Sequence, residues 1–318
     1  MNFKDLTKAE IRECFNNIDK YLMQQEKKFV KYVDLGCKVV RLIGYSEEFL
    51  PHIEKQLTFV LRDTADKYDA TIVLWKENNA FNFGKNLLPK FNPKTNMRLR
   101  IELLYSKKNI WDLRVIDESI SKVKPVIDVK SEQGIILAND YENNTHYYGV
   151  NNLEPEEFIK EGHLFVQFFN NILKTPTSNL AHGAVIGLDG NGILMCARGQ
   201  RGKSTLAVLS MMKGFEYVSD DYLILHKKGN ELLSSPIYSI ITLSPKMYNE
   251  LYDYLGKSRF VSNNARKDKY VFNIANFHDN INGQVKLKYW TAKLTKTLNF
   301  RNLTRKFLIL GVRQFKLT

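Results

Sequence analysis

The sequence predicts an α/β chain, α+β overall, with a smaller mixed α+β module over residues 1–125 and a strand–loop–helix domain over residues 126–318. Three observations predict it. Residues 37–75 run strand-like, helical and strand-like again. Residues 97–116 hold two stretches in which apolar and polar residues alternate, as in strands with one wet face. Residues 193–213 place an apolar run, a loop ending in Gly-Lys-Ser-Thr and a helical run in direct succession.

Taken in order, residues 5–30 carry a helical pattern through Ile11, Phe15, Ile18 and Leu22. Cys37–Ile43 reads as a strand, and Glu47–Arg62 as a helix with Ser46 as N-cap and Pro51 in its first turns. Ala70–Trp75 is a strand, and residues 76–96, rich in Asn, Lys, Gly and Pro, read as a loop. Nothing in this first module carries a chemical signature. The second region opens near residue 125. Glu154–Leu173 reads as a helix with Phe158, Phe165, Phe168, Phe169 and Ile172 on one side. A hairpin follows, Gly183–Leu188 and Ile193–Cys196, around Asp189-Gly190-Asn191-Gly192. A symmetric tip places His182 opposite Gly199; another turn shifts the register slightly and keeps His182 near the loop mouth.

The chain has 318 residues, of which 44% are hydrophobic, enough for a sizeable core in one large or two ordinary domains. No apolar run approaches the ~18 residues of a membrane span, and the first residues, Met1-Asn2-Phe3-Lys4-Asp5-Leu6, hold no apolar signal core. Cys14, Cys37 and Cys196 are scattered without metal spacing, which fits buried thiols in a reducing cytoplasm. The net charge is +13. Residues 281–318 carry Lys286, Lys288, Lys293, Lys296, Arg301, Arg305, Lys306, Arg313 and Lys316 with no acidic residue. Such a segment either attracts an anionic partner or is a solvated basic face. Nucleotide and an acidic protein or peptide are the favoured partners; nucleic acid stays open but is not favoured.

The run Ala197-Arg198-Gly199-Gln200-Arg201-Gly202-Lys203-Ser204-Thr205 has the context of a phosphate-binding P-loop. Free N–H groups and the positive dipole end at a helix start attract a polyphosphate. In this arrangement Lys203 reaches the β- and γ-phosphates and Ser204 ligates Mg²⁺. Arg198 and Arg201 either add charge at the phosphates or face solvent. The helix ends at Lys213-Gly214, with Gly as cap. Phe215–Leu225 then reads as strand, Asp220-Asp221, strand. A parallel strand beside the loop strand would deliver these carboxylates where Mg²⁺ and the γ-phosphate sit. Adjacent side chains of an extended segment point to opposite faces, so the two aspartates have different jobs. His163, His226 and His278 belong to no constellation and read as structural; Arg266-Lys267-Asp268-Lys269 reads as a solvated loop.

The stretch from His182 to Leu225 resembles the catalytic core of HPr kinase/phosphorylase and its looser relatives. The matching residues are His182-Gly183, the hairpin tip Asp189–Gly192, Gly202-Lys203-Ser204, Gly214 and Asp220-Asp221. The resemblance implies a P-loop fold akin to phosphoenolpyruvate carboxykinase, ATP and Mg²⁺ as cofactors, and γ-phosphoryl transfer to a serine hydroxyl of a protein or peptide. It further implies that Lys203 holds phosphate, that Ser204 and one aspartate hold metal, and that His182 assists near the transferred group. We assign the base to Asp220 and the metal contact to Asp221, the reverse remaining open. Ring-forming homo-oligomers are a further implication. Ala197 stands where the usual loop has its first glycine, the first module matches no HPr-kinase N-terminal domain, and the phosphorolysis motif is not recognisable. Kinases of ribosomally made peptides are therefore the nearer analogy. The alternatives are a nucleotide-binding regulatory protein without transfer and a small-molecule (amino acid) kinase on the same fold.

Overall fold

The computed structural model describes residues 8–76, 99–105, 111–117, 125–130, 135–150, 163–188, 191–197, 202–255, 261–264, 267–274, 285–287, 290–291 and 313–314. Within them the fold is mixed α+β, with a large mixed sheet and few helices. Lys76, expected in a loop, ends a strand; the rest of that expected loop (77–96), the helical expectation for 154–162, His278, Arg266 and most of the basic run 281–318 fall outside the described residues.

The chain opens with α1 (Lys8–Met23). Then come β1 (Phe29–Asp34), β2 (Val39–Gly44), α2 (Leu50–Gln56), β3 (Leu61–Arg62), β4 (Ala70–Lys76), β5 (Leu99–Tyr105), β6 (Trp111–Asp117), β7 (Pro125–Lys130), β8 (Ile135–Asp140) and β9 (Thr145–Val150). These strands form one nine-stranded sheet in the order β3-β1-β2-β4-β9-β8-β7-β6-β5. β2, β4 and β9 run parallel, and the remaining pairs are antiparallel. The boundary expected at 125/126 falls inside this sheet. β6 and β7 pair antiparallel from Asp112↔Lys130 onward, so β7–β9 complete what the first region begins.

Around β4 both faces of this sheet are covered, which is why β4 is apolar on both. On one face α1 lays Cys14, Phe15, Ile18 and Leu22, at helical spacing, against Val73, Trp75, Ile136 and Tyr147. A Cβ on Gly149 would collide with the Trp75 indole. The helix expected over Glu47–Arg62 is shorter. A 3-10 turn at Glu47–Phe49 leads into α2, Ser46 makes no side-chain cap bond, and pairing of Leu61 with Val33 draws the chain into β3.

The second half contributes α3 (Val166–Leu173), β10 (Ser178–His182), β11 (Ala184–Leu188), β12 (Asn191–Met195), α4 (Lys203–Met211), β13 (Glu216–Ser219), β14 (Tyr222–Lys228), β15 (Glu231–Pro236), β16 (Ile240–Leu243), α5 (Pro245–Leu255), β17 (Val261–Asn264), β18 (Lys267–Asn273), β19 (Val285–Leu287), β20 (Trp290–Thr291) and β21 (Arg313–Gln314). Seven strands form a second sheet, β10-β14-β15-β19-β12-β11-β13; β16-β18-β17 form a third, and β20 pairs with β21. One apolar cluster joins the first sheet to the second, running from Val33, Leu42 and Ile72 through Phe165 and Phe169 to Ile224 and Tyr238. On the second sheet, α4 buries Ala207, Val208 and Met211 against Ala184, Ile186 and Tyr217.

Two expectations are corrected here. The hairpin pairs Leu188 with Asn191 and Ala184 with Met195, so only Asp189 and Gly190 separate the strands. Asp-Gly is a favoured two-residue hairpin sequence, which accounts for the shift from the symmetric tip. His182 ends β10 and pairs with Tyr222 of β14 rather than extending the β11–β12 hairpin; Gly199 lies outside the described residues. Nor does β13 lie directly beside β12. β11 sits between them, antiparallel to both, so β12 and β13 run the same way one strand apart.

Candidate functional site

β13, the Asp-Asp turn and the start of α4 build the site. β13 is apolar and buried as far as Ser219, and the chain then reverses at Asp220-Asp221. Asp221 has φ 61, and the Tyr222 N–H bonds back to the Asp220 carbonyl at 2.8 Å. Only a short polar side chain tolerates this hand of φ without large cost, and such strain gathers at functional sites. The Gly183 N–H bonds to the Asp221 carbonyl at 3.0 Å, which ties the turn to the end of β10. Gly183 leaves no room for more: a Cβ there would stand 3.0 Å from the Met195 carbonyl.

The two aspartates are placed differently, though by the chain reversal and the left-handed Asp221 rather than by the strand alternation expected. Asp220 is 2% exposed, and both its carboxylate oxygens are sealed from solvent without a hydrogen-bond partner among the described residues. Burial first, and the Asp221 charge second, push its carboxyl up to about 7. The Ser204 hydroxyl, the Asp221 backbone and Lys203 pull the other way. Asp221 is partly open and stands between two imidazoles. His182 Nε2 is 3.4 Å from one of its oxygens and His163 Nε2 is 3.4 Å from the other. Tyr222 supports both rings, stacking on His182 at 5.4 Å and meeting His163 edge-on at 4.8 Å.

α4 begins at Lys203 after Gly202, whose φ of 87 needs glycine. Lys203 is 7% exposed, and its ammonium donates to the Ala197 carbonyl at 3.2 Å. The lysine thus folds back toward the chain just past β12. Arg198, Gly199, Gln200 and Arg201 lie outside the described residues. Thr205 follows Ser204 in the first turn of α4. The structure therefore brings together Lys203, Ser204, Asp220, Asp221 and His182.

His163 is the residue that sequence reasoning missed. It was read as structural, yet it touches Asp221 from the side opposite His182. No local signal could have found it, because it precedes α3 and reaches the turn only through tertiary packing against Tyr222 and Tyr238.

Among the described residues no group of three or more His, Cys, Asp or Glu side chains is arranged to hold a metal ion. Mg²⁺ does not require one, since it keeps several waters and takes one or two protein oxygens beside phosphate. The sealed, unpartnered oxygens of Asp220 beside Ser204 fit that demand. No helix among the described residues is long and apolar enough to cross a membrane.

No known protein family matches this chain, and no curated protein does. A solved structure of the Hpr(Ser) kinase/phosphatase from Coxiella burnetii is similar over 34% of this chain, at 17% identity and a TM-score of 0.26. The similar region spans 55% of that structure's chain, and the likeness is weak.

Proposed function

We propose that the chain is an ATP- and Mg²⁺-dependent kinase that transfers the γ-phosphoryl group to a serine hydroxyl of a protein or ribosomally made peptide. One observation carries the reading: a carboxylate sealed from solvent, with no well-formed hydrogen bond among the described residues, sits next to Ser204 and Lys203 at a helix start. A buried carboxylate costs several kcal/mol unless a cation or proton meets it. Asp220 and Ser204 would hold a divalent cation such as Mg²⁺, which would meet that charge and would offset negative charge on the phosphates.

The roles of the two aspartates follow from access, and they reverse our first assignment. A general base must come within hydrogen-bond reach of the acceptor hydroxyl. Asp220 is shut away from any acceptor, whereas Asp221 is open. Asp221 therefore takes the serine proton, held in place by His163 and His182. Lys203, now donating to the Ala197 carbonyl, would hold a phosphate oxygen when nucleotide is bound. Ser204 and Asp220 would hold the metal, and the amides that open α4 would receive the phosphates.

Transfer of labelled γ-phosphate from ATP to a panel of serine-bearing peptides tests the reading. Asp221→Asn should lower transfer by about 10²- to 10⁴-fold while nucleotide affinity stays within about twofold. Lys203→Ala should weaken nucleotide binding. Nucleotide binding without transfer to any acceptor would leave a regulatory protein, and full transfer by Asp221→Asn would return the base to Asp220.

A further inference from the structure

The geometry points to β10 as the docking edge for the acceptor, which binds as an extended, acidic, serine-bearing peptide strand. This inference rests on the kinase reading and adds the form in which the substrate is presented. β10 is an edge strand of the second sheet, paired on one side with β14. In an antiparallel pair, facing residues alternate between those that exchange hydrogen bonds and those whose N–H and C=O point away. The phase is set at both ends. The Lys227 N–H bonds to the Thr177 carbonyl at 2.7 Å, and the Gly183 N–H bonds to the Asp221 carbonyl at 3.0 Å. Thr177, Asn179, Ala181 and Gly183 therefore face β14. Ser178, Leu180 and His182 turn their backbone groups outward.

Ser178 is already satisfied. Its N–H donates to Thr175 Oγ1, and its carbonyl accepts from the Thr175 N–H, both at 3.0 Å. The same turn that closes the Ser178 end leaves Leu180 and His182 open. Their N–H and C=O groups have no partner among the described residues, and two residues spaced by two match the repeat of an added strand. An unpaired edge of this kind is a template for another chain.

The open pair runs straight into the candidate base. His182 is the last residue of β10, its ring stands 3.4 Å from Asp221, and the next residue is bonded to the Asp221 main chain. A strand laid on Leu180 and His182 thus brings a side chain at or just past the His182 position to Asp221. Free serine cannot use these four backbone groups; a peptide can. The net charge of +13 favours an acidic strand over a basic one.

The experiment uses the full chain, with Mg²⁺ and a non-hydrolysable ATP analogue, and a pool of ten-residue peptides with one central Ser among Glu and random positions. Amide hydrogen exchange at Leu180 and His182, read by NMR, should slow at least about tenfold when the pool is added. Asn179 and Ala181, already in the ladder, should change little. N-methylating the best peptide at alternate positions should weaken binding about tenfold in one phase and hardly at all in the other. Leu180→Pro removes an outward N–H that the β14 ladder does not use, so the strand tolerates it. It should raise the peptide KM about tenfold; should it misfold, the N-methyl series on the unaltered chain decides. Transfer with no protection at Leu180 and His182 overturns the docking and leaves the kinase reading standing. Protection without transfer, once ATP replaces the analogue, upholds the docking and removes the kinase reading. Protection already present without peptide, together with a dimer in solution, means that a second copy occupies the edge, and overturns the proposal.

Discussion

Asp220 keeps its oxygens sealed from solvent, with the Ser204 hydroxyl and the Asp221 backbone only partly offsetting the burial, and this makes the metal-free chain sensitive to pH. Its carboxyl titrates near 3.8 when unfolded and is pushed up to about 7 in the fold. Between those values the folded state holds a proton that the unfolded state has released. Stability therefore falls as pH rises through this window and levels off above about 7. The loss is on the order of a few kcal/mol. Urea unfolding without metal should find the stability of Asp220→Asn rising relative to the unaltered chain from pH 5 to pH 8. No such rise would mean that the fold meets the charge in some other way. His163 makes a separate case at this scale. It contacts Asp221, so His163→Ala should lower kcat by about 10- to 100-fold, through a misplaced base, with nucleotide affinity unchanged. His163→Asn, which can still donate to the carboxylate, should recover part of the loss; unchanged kcat in both would leave His163 a packing residue.

At the scale of elements, α4 shows which features local chemistry can announce. Its stop follows from Gly214 alone. With φ 86, this residue closes a Schellman end in which the Phe215 N–H bonds to the Ser210 carbonyl and the Gly214 N–H to the Met211 carbonyl. Gly214→Ala should cost about 1–2 kcal/mol, seen as a lower unfolding midpoint, because an L side chain resists that φ. α1, β4 and the β11–β12 hairpin were legible for the same kind of reason: period, apolar run and turn residues act within a few positions. The hairpin register was less so, because Asp189–Gly192 offers several residues suited to a turn and only the pairing of Leu188 with Asn191 chooses between them. The place of β11 between β12 and β13 is a matter of which edges meet, and no run of residues encodes that locally. The helical pattern over Glu47–Arg62 was real as far as Gln56, and a two-residue pairing with β1 then outweighed it.

Across the whole molecule, one apolar cluster links the two large sheets. Ile53 of α2, Phe169 of α3 and Ile224 of β14 share it with Leu42 and Ile72 of the first sheet. Polar bonds reinforce the join: the Ser239 N–H bonds to the Gln56 carbonyl at 2.8 Å, and the Tyr238 hydroxyl bonds to the Leu164 carbonyl at 2.5 Å. The sequence separates these partners widely, so neither this shared core nor the approach of His163 to Asp221 could be read from it, whereas the Lys203-Ser204 and Asp220-Asp221 pairs could. A core held in common predicts common unfolding. Ile224 is fully buried on the second sheet, and Ile224→Ala should cost about 2–5 kcal/mol. If the sheets unfold together, that loss should appear equally in hydrogen exchange of the slowest amides of β4 and of β14. Destabilisation confined to β14, with β4 amides exchanging as before, would mean that the sheets open independently. In that case the His163–Asp221 contact, which depends on α3 staying docked, would open with the second sheet and leave the first intact.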